Sequence, residues 1–294
     1  MEAVAPACVA QRTVTVLENV AVASETYRIR LDDPAMARDI IPGQFLMIRP
    51  GRGSDPLLGR PFALYDVVRD ADGTPTGVDV VYLVIGRGTA ALAELKAGDQ
   101  VTVWGPLGHG FGPAPEGPVI FVAGGIGQTP FLALGQWWLG QASFGGSPTT
   151  ASTSSAISSP RATSATLLYG VRTAALAAGV EDFERAGIAV ELATDDGTAG
   201  HHGFVTQLLE RRLEQGERPA RVVGCGPPPM LAALSRLVER YDIPCDLSLE
   251  NHMACGFGAC FSCVTPIRQP DGSTDLKRVC VEGPIFPASK VVWS

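Results

Sequence analysis

Two patterns of apolar residues divide the chain. From residue 11 to 105 the apolar positions fall in short runs rich in β-branched and aromatic residues, at 14–17, 27–31, 44–48, 61–68, 78–85 and 100–104, with Gly, Pro and Asp between them. Short strands at this spacing predict a closed antiparallel barrel. One short helix is expected over 90–95, stopping before Gly98. A link rich in Gly and Pro follows at 105–113. Beyond it the apolar runs are continuous, as in strands buried on both faces. Strands expected at 119–123, 166–169, 188–192 and 221–224 alternate with helices at 131–139, 180–186, 204–215 and 228–241. That rhythm predicts a parallel sheet covered by helices on both sides. A tract of Ser, Thr, Ala, Gly and Pro at 140–164 has too few apolar side chains to build a core and reads as a surface insertion. The last segment contains two strand-like runs, 262–267 and 276–281, joined by Pro270-Asp271-Gly272, a hairpin signal. The expected fold class is therefore a multi-domain β plus α/β chain. A barrel occupies 1–112, a parallel-sheet lobe 113–244, and a small C-terminal domain 245–294.

The cysteines give that last segment its chemistry. Cys255, Cys260 and Cys263 stand as Cys-x4-Cys-x2-Cys, and Cys280 follows alone. This is the plant-type spacing of a 2Fe–2S cluster held by four thiolates. Gly256 and Gly258 suit a tight loop whose backbone must come close to the sulfurs. Two other readings stay open at this point. Four cysteines also suit tetrahedral zinc, although zinc ribbons carry two short Cys-x2-Cys knuckles and here the fourth Cys stands apart. They could also be inert thiols; disulfides do not suit a chain without a secretory leader. Cys8, Cys225 and Cys245 are scattered, and by default are ordinary thiols. The hairpin would carry Cys280 back toward the other three.

Other stretches gain meaning from a cluster that moves single electrons. Arg60-Pro61-Phe62-Ala63-Leu64-Tyr65 places a guanidinium beside strand backbone and aromatics, where it could hold a diphosphate and cover a flat ring. Gly86-Arg87-Gly88-Thr89 precedes the short helix and offers an anion site, although such glycines are more often a plain turn and cap. Gly124-Gly125-Ile126-Gly127-Gln128-Thr129-Pro130 joins a buried strand to a helix in the layout of a phosphate turn, without the usual Gly-x-Gly-x-x-Gly. Cys225-Gly226-Pro227 and Asp195-Asp196-Gly197 end two other strands of the same sheet. Ligands of such sheets lie beyond the C-terminal strand ends. Each stretch alone is an ordinary strand-end turn; their agreement raises the case for a nucleotide site.

Composition narrows the partners. The chain has 294 residues, 46% hydrophobic and 18% charged, enough apolar material for more than one core. A formal charge of −7 argues against a nucleic-acid partner. No apolar run reaches a membrane span, and residues 1–10 lack the basic start and apolar run of a signal peptide, so the expected place is the cytoplasm. His109, His201 and His202 are loop histidines, and the chain offers no acid or base suited to substrate chemistry.

On these motifs the chain resembles the ferredoxin-reductase-like flavoproteins, and within them the electron-transfer subunits of the two-subunit, NAD-linked dihydroorotate dehydrogenases. The likeness runs nearly end to end and is most specific at Ala254-Cys255-Gly256, Gly258-Ala259-Cys260, Cys263 and Cys280-x-Glu282-Gly283-Pro284-x-Phe286. The resemblance implies an FAD barrel, an NAD lobe and a 2Fe–2S domain. It implies flavin contacts at Arg60, Pro61, Phe62 and Ala63, at Val81, Tyr82 and Leu83, and at Gly88 and Thr89. Ala63 stands where many relatives have Ser. It implies a nicotinamide-nucleotide site at Gly124, Gly125, Gly127 and Thr129. Cys225, with Gly226 and Pro227, would lie near the nicotinamide and flavin rings as a catalytic contact. Cluster ligands would be Cys255, Cys260, Cys263 and Cys280. The implied activity, in pyrimidine biosynthesis, is a relay. An FMN-containing partner subunit, in a heterotetramer, oxidises dihydroorotate; its electrons pass through the cluster to FAD and then to NAD. The alternatives are an electron-transfer subunit of another complex, of the NADH-dependent ferredoxin:NADP oxidoreductase or sulfide dehydrogenase type, and more remotely a zinc-binding module without redox function.

Overall fold

The computed structural model describes residues 9–51, 55–145 and 161–293. Cys8 and residues 146–160 of the Ser/Thr-rich tract lie outside them. Seven strands form the first sheet: β1 (Ala10–Ala23), β2 (Thr26–Asp32), β3 (Phe45–Pro50), β4 (Arg60–Ala63), β5 (Asp66–Arg69), β6 (Pro75–Leu83) and β7 (Gln100–Leu107). They pair antiparallel in the order β4-β3-β7-β1-β2-β6-β5. The sheet curls round a core of alternate residues, including Val14, Val16, Ile29, Leu31, Ile48, Val78, Val80, Tyr82 and Val103. Period-two alternation fixes this register, because a one-residue slip would turn every one of these side chains outward. The run at 61–68, expected as one strand, is two. Leu64 and Tyr65 break it, their N–H groups going to Gln44 O and Asp79 O. β4 and β5 then lie at opposite edges, so this barrel-like sheet stays open there. The helix expected at 90–95 starts earlier, as α2 (Arg87–Ala93). An unexpected helix, α1 (Pro34–Asp39), is capped by Asp33, whose carboxylate accepts from Met36 N at 3.0 Å, with Pro34 in its first turn.

The second sheet contains β8 (Gly117–Gly124), β9 (Ala162–Val171), β10 (Ala189–Thr194), β11 (His201–His202), β12 (Arg221–Cys225) and β13 (Cys245–Ser248), all parallel. The helices α3 (Phe131–Trp138), α4 (Val180–Arg185), α5 (Val205–Glu214) and α6 (Pro228–Arg240) connect these strands. Register aligns Ala123 with Tyr169 and with Cys225, and Cys225 with Ser248. The turns after β8, β12 and β13 therefore leave the sheet at one edge, where ligands of such sheets bind.

Two further strands, β14 (Val264–Arg268) and β15 (Thr274–Arg278), form the expected hairpin with Asp271 and Gly272 in its turn. The chain then returns as β16 (Ile285–Pro287), antiparallel to β13. The C-terminal segment thus begins and ends on the sheet of the preceding lobe. Phe45, Met47 and Leu107 of the barrel share a core with Cys263, Val279 and Cys280, and with Leu231 and Leu247 of the lobe. Tyr65 and Val81 share another with Phe121 and Phe131. Tyr65 also donates to Asp182 Oδ2 at 2.8 Å, linking the first sheet to α4.

Candidate functional site

The cysteine loop is shaped by its glycines and its support. Gly256 has φ +81°, and a Cβ there would lie 2.7 Å from Met47 Cγ. Gly258 has φ +88°, and its Cβ would lie 2.5 Å from Val281 Cγ2. Neither position admits a side chain, so the loop lies flat on the barrel on one side and on the segment just past β15 on the other. Trp104, on β7, donates its indole N–H to Cys255 O at 2.8 Å. Phe261 takes φ +55°, a conformation uncommon outside glycine. The hairpin pairs Val264 with Arg278, and Val279 N bonds Cys263 O at 2.9 Å. Cys263 and Cys280 are brought together in this way.

The sulfurs fall into two pairs. Cys255 stands close enough to Cys260, and Cys263 to Cys280, for each to act on the other's ionisation. The Cys260 thiol is exposed, and its pKa is drawn down to about 6, first by the Ser262 hydroxyl at 3.1 Å and then by the N–H groups of Ser262 and Cys255. The Cys280 thiol is pushed up to about 12, first by burial and then by Cys263 and Cys255. Among the described residues no three His, Cys, Asp or Glu side chains close on a single ion. Two adjacent pairs of sulfurs fit a two-iron cluster, in which each iron takes two thiolates. N–H and O–H donors aimed at Cys260 match what an anionic sulfur ligand requires.

On the barrel, Arg60 opens the edge strand β4. Its Nη1 donates to Leu58 O at 3.0 Å and to Gly59 O at 3.2 Å. Its Nε lies 3.3 Å from where a Cβ on Gly88 would sit. The guanidinium and the first turn of α2 therefore meet, and Gly88 leaves the gap between them open, as a diphosphate requires. Thr89 uses its hydroxyl within the turn, accepting from Ile85 N and Gly86 N at 3.0 and 3.2 Å, so its backbone is what remains to face a ligand. Pro61, Phe62 and Ala63 are half-buried along the open edge of β4. Val81 and Tyr82 point to opposite faces. Val81 packs toward the second sheet, whereas the Tyr82 ring stacks on Tyr27 inside the barrel at 5.9 Å and donates to Asn19 Oδ1 at 3.0 Å. The ring of Tyr82 is thus a core residue, and Leu83 beyond it is half-buried.

On the second sheet, the turns after β8 and β12 are packed backbone against backbone. A Cβ on Gly127 would lie 2.3 Å from Cys225 O, and one on Gly226 would lie 2.9 Å from Gly124 N. A Cβ on Gly124 would meet Pro227 Cδ at 2.7 Å. Gly125, at φ +57°, has nothing within 4 Å of its Cβ position, so this corner of the turn faces open space. Thr129 closes the turn, its N–H on Ile126 O at 3.2 Å. The Cys225 thiol is buried and pushed far up by desolvation and by Glu250, whose Oε1 lies 4.0 Å from its Sγ. It is therefore a neutral, inert thiol that serves by shape. Glu250, just past β13, was not singled out from the sequence, where it is one acidic residue ahead of the cysteines. It stands in a cleft of about 480 Å³ lined also by Gly226, Pro228, Asn251 and Trp293. Its carboxyl is open to solvent on one side, and the surrounding protein raises its pKa above the ordinary 4.5 by desolvation. Arg172 is exposed at the end of β9, its carbonyl taking Asp196 N at 3.2 Å. His109 lies in the link after β7 and His201 is engaged with Gln207 and Arg211, away from these turns.

Three places thus combine: paired sulfurs, a cationic edge suited to a diphosphate, and a double turn suited to a nucleotide. Comparison with known proteins identifies its relatives. Residues 250–292 match the iron–sulfur cluster binding domain of dihydroorotate dehydrogenase B. The electron transfer subunit of dihydroorotate dehydrogenase B (NAD(+)) from Desulforamulus reducens is 36% identical over 274 residues, covering 92% of this chain and 94% of its own. The subunit of the same name from Geobacillus thermodenitrificans is 35% identical, covering 97% and 99%. Among solved structures, a chain of the NADH-dependent reduced ferredoxin-NADP oxidoreductase superposes with a TM-score of 0.75 at 23% identity, covering 95% of this chain and 90% of that one. The cytochrome b5 reductase domain of Ulva prolifera nitrate reductase gives 0.59 at 21% identity, covering 80% and 94%. Both structural likenesses concern the fold.

Proposed function

The chain belongs to the family of dihydroorotate dehydrogenase B electron-transfer subunits, and from this we propose how its residues carry electrons between a catalytic partner subunit and NAD. Cys255, Cys260, Cys263 and Cys280 hold a 2Fe–2S cluster. Arg60 to Ala63, Val81, Leu83 and the turn at Gly88 and Thr89 hold FAD, with Tyr82 supporting from inside the barrel. Gly124, Gly125, Gly127, Thr129, Gly226 and Pro227 hold NAD, with Cys225 beneath its reactive end. When bound, the cluster moves electrons singly, and the flavin converts them to the pairs that NAD accepts.

The single observation that carries this reading is the pairing of the four sulfurs on a loop seated, through Gly256, on Met47 and Leu107 of the barrel. That seat holds the sulfur loop against the barrel whose edge would carry the flavin. Arg60 and the first turn of α2 neutralise and orient a diphosphate. Buried Cys225, with Glu250 at the mouth of the cleft, shapes the floor at the end of β12. The division into 1–112, 113–244 and 245–294 follows these three tasks, with β13 and β16 tying the last to the second.

The partner is an FMN-containing dihydroorotate dehydrogenase subunit, in a heterotetramer. It docks where the sulfur loop is accessible. Phe257, Leu57 and Leu58 are exposed there, round a groove that includes Trp104, Cys255 and Cys260, and Phe261 is exposed next to Cys260 in the chain. A patch of exposed large apolar side chains is what an interface covers. No helix among the described residues is long and apolar enough to cross a membrane. The buried thiols of Cys225 and Cys245 suit a reducing compartment, and we place the subunit in the cytoplasm. The test is co-expression with an FMN subunit and assay for dihydroorotate-dependent NAD reduction. Co-purification with that activity supports the proposal. A complex without it, together with ferredoxin-linked turnover, assigns the chain to a different partner; zinc in place of iron in the purified protein ends the redox reading altogether.

A further inference from the structure

An ion pair that the cysteine chemistry does not use closes the sulfur loop. Arg278, the last residue of β15, pairs with Val264, the neighbour of Cys263, and stands two residues before Cys280. Its Nη1 donates to Gly258 O at 3.2 Å, and its guanidinium lies 5.0 Å over the ring of Phe261. Its Nη2 holds Glu282 Oε1 at 2.5 Å, while Glu282 Oε2 accepts the backbone N–H of Arg278 at 2.8 Å. One side chain therefore touches the loop at two points, and its counter-ion sits just beyond Cys280.

We propose that the Arg278–Glu282 pair sets the reduction potential of the cluster that this loop holds, the arginine favouring the reduced state and the glutamate opposing it. The proposal rests on the cluster reading above. A 2Fe–2S centre with four thiolates becomes more negative by one charge on reduction, so a fixed cation beside it raises its potential and a fixed anion lowers it. The pair does not cancel at close range, because the guanidinium reaches the loop at Gly258 O and over Phe261, whereas both carboxylate oxygens are taken up by Arg278 itself. The same contacts make Arg278 a positioning residue: a planar fork can bond Gly258 O, stack on Phe261 and grip a carboxylate at once, which an ammonium cannot.

The experiment uses the full chain, purified anaerobically with its FAD and cluster, and titrates the potential while following the paramagnetic signal of the reduced cluster. Arg278→Gln is expected to lower the midpoint and Glu282→Gln to raise it, each by about tenfold in the reduction equilibrium, roughly 59 mV for one electron. Arg278→Lys, which keeps the charge and loses the fork, should restore most of the potential while altering the shape of the signal. A merely structural role would lower cluster content without opposed shifts. Midpoints that move in the same direction, or do not move, overturn the proposal. If Arg278→Gln assembles no cluster, the other two variants decide: Glu282→Gln at or below the wild-type midpoint overturns it. Wild-type protein with no such signal would instead remove the cluster assignment itself.

Discussion

Gly127→Ala probes the junction on which the nucleotide reading depends. The added Cβ would lie 2.3 Å from Cys225 O, 2.6 Å from Cys225 C and 2.8 Å from Gly226 N, all backbone atoms. No side chain can swing aside, so the turn after β8 or the turn after β12 must shift as a body. Overpacking of this kind costs typically about 1–3 kcal/mol. Because the two turns form the proposed floor and wall of one site, most of that cost should fall on the arrangement that binds NAD. At about 1.4 kcal/mol per tenfold, the dissociation constant should rise roughly 5- to 150-fold. Gly112→Ala is the control, since its Cβ would meet nothing within 4 Å and its φ is not positive. The assay is NAD(H) binding to the purified subunit by calorimetry, with FAD content read from absorbance and iron measured separately. FAD and iron should match wild type in both variants. If Gly127→Ala binds NAD(H) as tightly as Gly112→Ala does, the nucleotide does not use this junction and the site lies elsewhere.

Cys260→Ser should lose the cluster and yet retain NADH oxidation by an artificial acceptor, because Cys260 is exposed on the loop while Arg60 and the turn at Gly88 lie on the barrel; loss of FAD in that variant would refute the separation of roles. Tyr65→Phe should lower stability by about 1 kcal/mol in urea denaturation, since it removes a hydrogen bond that ties β4–β5 to α4, and an unchanged midpoint would show that the link is idle. Glu250→Gln gives a pH signature. The native pKa is raised above the ordinary 4.5, so in the window from 4.5 up to that raised value the native chain keeps a proton that the unfolded chain has released, and wild-type stability falls as pH rises. The melting temperature of wild type minus that of Glu250→Gln should therefore become more negative from pH 4.5 upward and then level off; a difference independent of pH would contradict the desolvation.

Spacing made the cysteines legible, because a loop of fixed reach dictates where ligands can fall along the chain. Alternation and continuity made the two sheets legible, since burial on one face or on two leaves different periods. What escaped was decided by contacts distant in sequence. Leu64 and Tyr65 read as part of one strand because their side chains are apolar; only the pull of Gln44 O and Asp79 O on their N–H groups divides it. Tyr82 reads as a ligand contact from its neighbours in the motif, yet Asn19, 63 residues away, takes its hydroxyl and turns the ring into the core. The strands β13 and β16 are short, and nothing local marks them as partners.

Glu250 shows why a site of this type is only half visible in a sequence. Its importance lies in where β13 ends relative to β12, and that is set by the pairing of Cys225 with Ser248. The carboxyl then stands beside a thiol 25 residues earlier in the chain and lines the same cleft as Gly226 and Trp293. The glycines carry the complementary information. Gly124, Gly127 and Gly226 look like generic turn residues one at a time, but each is required by an atom from another segment: Pro227 Cδ, Cys225 O and Gly124 N. Two strand ends that each demand a glycine from the other can meet in only one way. The site is therefore the closing contact of the parallel sheet with itself, and a substitution at either turn should be felt at the other.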